Sequence, residues 1–531
     1  MTRVQYAPGL YYEAVPPAVE PSPLRSDVAG FIGRTRRGPV GQAVRVTGWR
    51  EYLVAFGGLV EDADTPYALQ GYFANGGDVA HVVRLLGVPP SKTLDDLTAT
   101  AIWDLTQPDR AVAAVGSAWD PRQGSFTSGA IRIRASSPGT WGNGLRVKPL
   151  YRQKSTSGRP EIDLIVHAAD EPIEQLIGLD PGQIVDQVAE RSLLIRLELL
   201  PAPLGPPAQG DGPRLLHWAD VVLGGALESS APLSEDYLAG LDLLGDENEV
   251  ALVAMPDLIG DLGAAAALDV QQQAAARADA LHDRLVLVDL PRDYLDSVAA
   301  TGRIDEFRSA DLGDAARAAA AYHPWLAVQD PLGGTANPLR QIPPCGHVAG
   351  LISRYDRQRG AQYTPANATL EGAIDVATSY ALDERASLND AGVNVVRCMP
   401  GRGVQVWGGR TLNRDDPWRF VAHRRLIHRL VRAIRQVAEP LVFDNNGPAL
   451  WLALARAVTT ILVEAYRAGG LKGDRPDQAF RVRCDATNNP PEETYLGRVL
   501  CEIDVAPAVP MEFITLRVAL SDSGTLDVFE K

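Results

Sequence analysis

No C-x-x-C pair occurs among the four cysteines, Cys345, Cys398, Cys484 and Cys501, which lie far apart, and the eight histidines are scattered. Zinc needs closely spaced Cys or His ligands, so no metal site is expected and the cysteines read as buried thiols. No uninterrupted apolar run approaches the roughly 18 to 20 residues that cross a bilayer, and the opening MTRVQYAPGL has no apolar signal core. The expectation is a chain made in soluble form, cytoplasmic at first, with no direct membrane insertion. A basic excess is missing too: the formal net charge is −15, which repels a phosphate backbone unless basic residues gather in one place. Direct nucleic-acid binding is therefore disfavoured.

Catalytic signatures are equally sparse. G-x-x-x-x-G-K-[ST] is absent, and GRGVQVWGG from Gly401 has the wrong spacing for a dinucleotide fingerprint, so it reads as tight turns and close backbone packing. No G-x-S-x-G elbow occurs. His347, Ser353 and Asp356 could be imagined as a triad, but such residue types fall near one another by chance in any long chain. Trp141, Trp325, Trp407, Trp418 and Trp451 sit beside turns, where tryptophan more often anchors packing than binds sugars or bases. Arg402 and Arg410 flank Trp407, where phosphate binding and hydrogen bonds to loop carbonyls are both open readings. The sequence thus offers no catalytic residue, cofactor site or metal site, and a hydrolase is a remote alternative.

What is present is an ordinary globular balance, 46% apolar and 22% charged, in 531 residues. One core stops growing well short of that length, so roughly three or four domains are expected. The first 25 residues join a short alternating stretch, Leu10 to Val15, to prolines at 16, 17, 21 and 23, which describes an extended arm. From Asp27, VAGFIG reads as a buried strand, TGWREYLVAFGG and TPYALQGYFANGG as helices stopped by glycine, and VAHVVRLLG as another strand. Patterning weakens between about 91 and 230, where Gly/Pro/Ser-rich runs such as PAPLGPPAQGDGP suggest an inserted, surface-facing region with loops. VALVAMPD, an Ala-rich helix near Ala264 to Asp283, and RLVLVDLP then give strand, helix, strand with an almost wholly apolar second strand, which suggests a parallel α/β sheet. Two long helices follow, about Trp418 to Ala438 and Pro448 to Ala468, and MEFITLRVAL closes the chain as a strand. Both ends are thus strand-competent, and an unpaired strand is a template for another chain.

Several blocks, in order, are PGLYYEAV, VAGFIGRTRRGPVGQAVRVTGWREYLVAFGG, YFANGGDVAHVVR, PGTWGNGLRV, YHPWLAV, PPCGHVAGLISRYDRQRGAQYTPAN, VNVVRCMPGRGVQVWGGRTL, DPWRFVAHRRL, LWLALARAVTTIL and AFRVRCDATNNP with CEIDVAPAVPMEFI. Together they resemble the tail sheath proteins of contractile phages, R-type tailocins and related contractile injection systems. Cys345 stands where that family usually has a small hydroxyl residue, and Gly224-Gly225 lacks the Asp-Gly that often follows such a pair; both touch only local loops. The resemblance implies a non-enzymatic structural subunit that polymerises helically around an inner tube and contracts from a metastable extended state. Its implied partners are copies of itself, the tube protein, and baseplate and terminal cap proteins, in a phage-tail-like particle that is released or membrane-attached. A baseplate ring protein is the alternative.

The implied fold is α/β (α+β) and multi-lobed, with parallel and mixed sheets flanked by helices. Its implied parts are a linking arm over 1–25, a conserved inner lobe from 26–90 with 386–510, a variable outer insertion over 91–230, a middle α/β lobe over 231–385, and a linking strand over 511–531. Leu10, Tyr11, Tyr12 and Glu13 at one end, with Phe513, Ile514, Leu516 and Val518 at the other, are the implied strands added to neighbouring subunits, and a head-to-tail contact that does not close gives a filament. Between 391 and 470 there are 12 arginines, no lysines and 5 acidic residues, a local net of +7. Arg424, Arg425, Arg429, Arg432 and Arg435 lie on the first long helix. They read either as the solvated face of an amphipathic helix or as a basic surface turned to the tube or a neighbouring subunit.

Overall fold

The computed structural model describes residues 25–104, 118–120, 125–127, 130–153, 160–168, 171–199, 221–309, 312–415, 418–442, 444–508, 514–520 and 526–530. Of the arm expected over 1–25, residues 1–24 lie outside them.

Short apolar runs between glycines and helices build the largest sheet. Its strands are Ala29–Gly33 (β1), Ala43–Val46 (β2), Ala80–Arg84 (β3), Leu252–Ala254 (β4), Leu285–Asp289 (β5), Ala319–His323 (β6), Ala368–Thr369 (β7), Val393–Met399 (β8) and Gly403–Trp407 (β9), in the order β7-β9-β8-β6-β5-β4-β1-β3-β2. The six strands from β8 to β3 are parallel, and β2, β9 and β7 add antiparallel edges. β1, β3, β4, β5 and β6 are buried at every residue, as strands covered on both faces must be.

Alternate residues feed two cores. Phe31, Val82, Leu252 and Leu287 pack with helices Thr65–Ala74 (α1) and Cys345–Gln358 (α4) on one face. Ile32, Val83, Val253 and Val286 pack with Ser234–Gly245 (α2) and Leu258–Leu281 (α3) on the other. A three-layer α/β unit results, and it corrects one expected boundary. The resemblance implies separate lobes for 26–90 and 231–385, yet β1 pairs with both β3 and β4, and β6 pairs with β8. Parallel pairing between distant segments leaves no local mark, so the sequence pattern splits what the backbone joins.

Segment 91–230 carries more order than its composition suggests. Strands Arg146–Gln153, Pro160–Ala168, Glu171–Leu179 and Val221–Val222 form one sheet, and Thr100–Asp104, Ala130–Ala135 and Ile195–Leu199 another. Trp103, Ile131, Ile133, Ile162 and Leu164 give it a core of its own.

The C-terminal region places helices Val421–Ala438 (α5) and Pro448–Arg467 (α6) against a further sheet, with a fourth core at Ile427, Leu430, Ile434, Leu454, Val458 and Ile503. Its strands, Phe480–Arg483 (β10), Val499–Val505 (β11), Ile514–Leu520 (β12) and Leu526–Glu530 (β13), are antiparallel in sequential order. Although no uninterrupted apolar run is long enough, α6 as a whole has the length and composition of a membrane-crossing helix. One of its faces is spent on that C-terminal core, through Leu450, Trp451, Leu454, Val458 and Leu462.

Candidate functional site

Open α/β sheets bind ligands beyond the carboxyl ends of their strands, where the winding direction reverses. Here that point lies between β1, which leads through α1 to β3, and β4, which leads through α3 to β5. Its crevice is filled by the chain itself. Asp257, just after β4, accepts from Arg34 N (2.7 Å) and Thr65 Oγ1 (2.7 Å) on one oxygen, and from Thr65 N (3.3 Å) and Asp64 N on the other. The amides at the start of α1, which could hold an anion, hold this carboxylate instead. Arg34 Nε pairs with Asp261 at 3.0 Å, and Tyr237 donates to the same carboxylate at 2.7 Å. Burial, then the neighbouring Asp257, pushes Asp261 up to about 7 and Asp64 to about 6.

The imagined triad is likewise taken apart. His347, Ser353 and Asp356 all lie on α4, and the first and last are separated by about 13 Å of helix rise. Ser353 Oγ donates to Ala349 O at 2.8 Å, and burial pushes His347 down to about 4, leaving it neutral against Gly71. Asp356 is held by Arg425. Among the described residues no group of three or more His, Cys, Asp or Glu could hold a metal ion.

Asp289, at the end of β5, is buried and accepts from Cys345 N at 3.2 Å. Burial pushes it up to about 7 from 3.8. Between those values the folded chain keeps a proton that the unfolded chain has lost, so this contribution is complete below about pH 4 and fades as pH rises through about 7. Asp289→Asn should remove that decline. Against wild type its relative stability should rise by on the order of 2–4 kcal/mol between pH 4 and pH 8. Urea unfolding across that range checks this, and a constant difference would refute it.

The arginine helix differs most from expectation. Arg424, Arg425 and Arg432 are buried and turned inward. Arg425 grips Asp356 through two bonds of 2.5 Å and donates to Ser26 O at 2.7 Å. Arg424 meets Asp279 at 3.1 Å, sharing it with Arg317, and both guanidinium groups lie over the Trp418 ring, at 5.7 and 4.9 Å. Arg432 donates to Asn248 O. Arg435 donates to Leu281 O (2.6 Å) and Asp283 (2.9 Å), where the C-terminal end of α3 favours a cation. For Arg424, Arg425, Arg432 and Arg435, both sequence readings of the basic stripe, solvated or partner-facing, give way to a third: it glues α5 to the central unit, while Leu430, Val431 and Ile434 serve the C-terminal core. Arg429 alone of the five is half-buried with no hydrogen bond or ion pair to a described residue. It lines a groove of about 880 Å³ between α5 and α6, with Leu430, Ala433, Ala457, Ile461 and Glu464.

Of the linking residues, Leu10, Tyr11, Tyr12, Glu13 and Phe513 lie outside the described residues. Ile514, Leu516 and Val518 lie on β12, a strand as read, paired within the chain to β11 from Val505↔Ile514 to Val499↔Leu520 and to β13 on its other side. Both edges of β12 are thus paired within its own chain, where the resemblance implies a strand added to a neighbouring subunit. Trp325, Trp418 and Trp451 are buried as expected, whereas Trp407 is 43% exposed, with Arg397 stacked 3.8 Å from its ring centre. Arg410 donates to Asn389 O at 2.8 Å and pairs with Asp390 at 3.2 Å, both in the last turn of the helix Leu382–Ala391, a structural role at a helix end and not at a loop carbonyl. Cys398 is exposed, contrary to expectation.

Residues 232–412 match the phage tail sheath protein central domain, and residues 413–521 the phage tail sheath C-terminal domain. Those two stretches adjoin and make up more than half of the chain. The chain belongs to the phage tail sheath family. Over 182 residues this sheath-family chain is 29% identical to the tail sheath protein of Vibrio phage KVP40, covering 33% of the chain and 26% of that protein. Over 324 residues it is 24% identical to the tail sheath protein of Enterobacteria phage T4, covering 57% and 47%. The matched stretches therefore span about a quarter to a half of these curated relatives. In fold it is similar to the helical sheath of the anti-feeding prophage in its contracted state (TM-score 0.54, 20% identity, 96% of this chain and 98% of that one). The sheath tail protein Lin1278 of Listeria innocua is similar too (TM-score 0.62, 10% identity, 94% and 95%).

Proposed function

We propose that this chain is a structural sheath subunit, not an enzyme, that polymerises helically around an inner tube and shortens from a metastable extended state. The observation carrying the reading is the unbroken match of residues 232–521 to both sheath domains. It is supported by a switch-point crevice filled by Asp257, where an α/β enzyme would keep a ligand. Its partners are further copies of itself, the tube protein, and baseplate and cap proteins of a phage-tail-like particle. Co-expression with the cognate tube protein should give striated cylinders by electron microscopy. Discrete rings alone would favour a baseplate component.

The terminal segments, with Leu10 to Glu13 and Phe513 to Val518, complete β-structure in neighbouring subunits, and the proline-containing arm keeps them linked while subunits move apart. A strand that rests on its own sheet in the free chain can exchange onto a neighbour's, since the same main-chain bonds form in either place. Deleting Met1 to Pro23 should leave the globular lobes folded while abolishing or freezing contraction; normal contraction of such particles would sink this proposal.

The tube- or neighbour-facing basic surface contracts to Arg429 and its groove. Reversing Arg432 would test folding, because that side chain is buried against Asn248. Arg429→Glu should leave the circular dichroism spectrum unchanged and reduce the yield of tube-filled cylinders at least several-fold, with the loss steepest at low salt. Full yield of extended, tube-filled particles would show that the groove faces solvent.

A further inference from the structure

Cys484 directly follows β10, and Cys501 lies within β11. The register between these strands runs Phe480↔Val505, Arg481↔Asp504, Val482↔Ile503 and Arg483↔Glu502, so the next rung sets Cys484 opposite Cys501. Ala506 N donates to Ala479 O at 2.8 Å, which fixes the alternation of bonded and open rungs. Counting from that bond, the cysteine rung is an open one, where opposed Cα atoms sit about 4.5 Å apart and side chains approach most closely. A disulfide spans Cα atoms roughly 4.4–6.8 Å apart, so the two thiols are placed to join without moving the backbone.

The rung is also anchored. Asn489 donates to Leu500 O (2.9 Å) and accepts from Leu500 N (2.6 Å), closing the intervening loop onto β11 beside Cys501. Both thiols are free and face the C-terminal core, Cys501 fully covered and Cys484 nearly so.

We propose that Cys484 and Cys501 form a redox-active dithiol that closes into a cross-strand disulfide when the protein meets a low-molecular-weight disulfide such as glutathione disulfide. Cys484 attacks first: the Cys501 thiol donates to its sulfur and holds it below the usual thiol range, and it is the more accessible of the two. Its thiolate displaces one glutathione thiol and leaves a mixed disulfide, which the Cys501 sulfur resolves by displacing the second. Two protein thiols lose two electrons, one glutathione disulfide becomes two glutathione thiols, and the two thiol protons end on the departing glutathiones. The bridge ties β10 to β11 in the sheet that also carries β12, hardening the C-terminal region once the chain leaves a reducing compartment. None of this depends on the sheath reading.

The test uses the full chain carrying Cys398→Ser, which removes the exposed thiol. It is equilibrated across ratios of reduced to oxidised glutathione, with about 1 M urea in one arm to open local structure, then alkylated and analysed by mass spectrometry. The expected result is a loss of about 2 Da, protection of two thiols and a linked Cys484–Cys501 peptide. Melting should shift upward by about 2 °C or more, an effect absent from Cys484→Ser and Cys501→Ser. Persistence of both thiols at the most oxidising ratio with urea, stable mixed disulfides at separate sites, or linkage of either residue to Cys345 would each overturn the proposal.

Discussion

Asp356→Ala should lower unfolding stability by about 3–5 kcal/mol, a large part of the roughly 5–15 kcal/mol that holds a typical domain together. The carboxylate and its partner Arg425 are buried, with side-chain exposures of 2% and 3%, and are joined by two bonds of 2.5 Å. Removing one member strands the other charge in the interior, and its desolvation goes uncompensated. Arg425 also donates to Ser26 O, just before β1, so one guanidinium connects α5, the end of α4 and the chain's entry into the central sheet. Arg425→Lys should therefore be nearly as damaging as Arg425→Ala, because an ammonium cannot reproduce the planar fork. The double variant Asp356→Leu/Arg425→Met should recover much of the loss, since an apolar pair carries no desolvation penalty. Urea unfolding of the four variants measures this. A single-variant loss below about 1 kcal/mol would show the pair to be hydrated and of surface strength.

That pair also marks the limit of what the sequence makes legible. β1, β3 and β5 are readable because each is an unbroken apolar run between breakers, and α5 and α6 because their periodicity lasts several turns. The sequence also places the arginines of α5 correctly, off the face that carries Leu430, Val431 and Ile434. What it lacks is the other side of the contact. Asp279, Asp283, Asn248 and Asp356 lie far away in the chain, and nothing local to α5 tells buried glue from a solvated stripe. An arginine-rich face with no lysine fits the buried role, because a guanidinium is weakly hydrated and satisfies several acceptors at once.

The same reasoning covers the sheets. The apolar character of β5 announces a parallel sheet, but the pairing of β4 with β1 is a long-range choice, and only that choice fuses segments 26–90 and 231–385. In 91–230 the alternation of Ala130–Ala135 is real strand periodicity, diluted by the Gly- and Pro-rich runs around it. Asp257 is harder still. A lone acidic residue after MP carries no sign that it will cap another segment's helix and fill the sheet's one reversal point.

The contact between α1 and α4 turns on two glycines. On α4, Gly346 and Gly350 stand one turn apart and face Ala68 and Tyr72 of α1. A Cβ added at Gly346 would lie 2.2 Å from Ala68 O, and one at Gly350 would lie 2.3 Å from Tyr72 O. Both obstacles are backbone carbonyls, which no rotamer change can clear, so the helices must separate and disturb the core that Tyr72, Val348, Leu351 and Ile352 share with β1 and β3. Gly350→Ala is expected to cost about 3 kcal/mol, at the upper end of ordinary overpacking, and Gly346→Ala a similar amount. The two should not add, because the first separation of the helices makes room for the second methyl. Gly302 supplies the control: it lies within the helix Ser297–Ser309, and a Cβ there meets nothing within 4 Å. Gly302→Ala should stabilise by about 0.5–1 kcal/mol through the entropy of the unfolded chain. Opposite signs for the same chemical change in two helices would tie the cost to the crossing of α1 and α4 and not to helix propensity, whereas a loss below about 1 kcal/mol at both Gly346 and Gly350 would show that the helices can part freely.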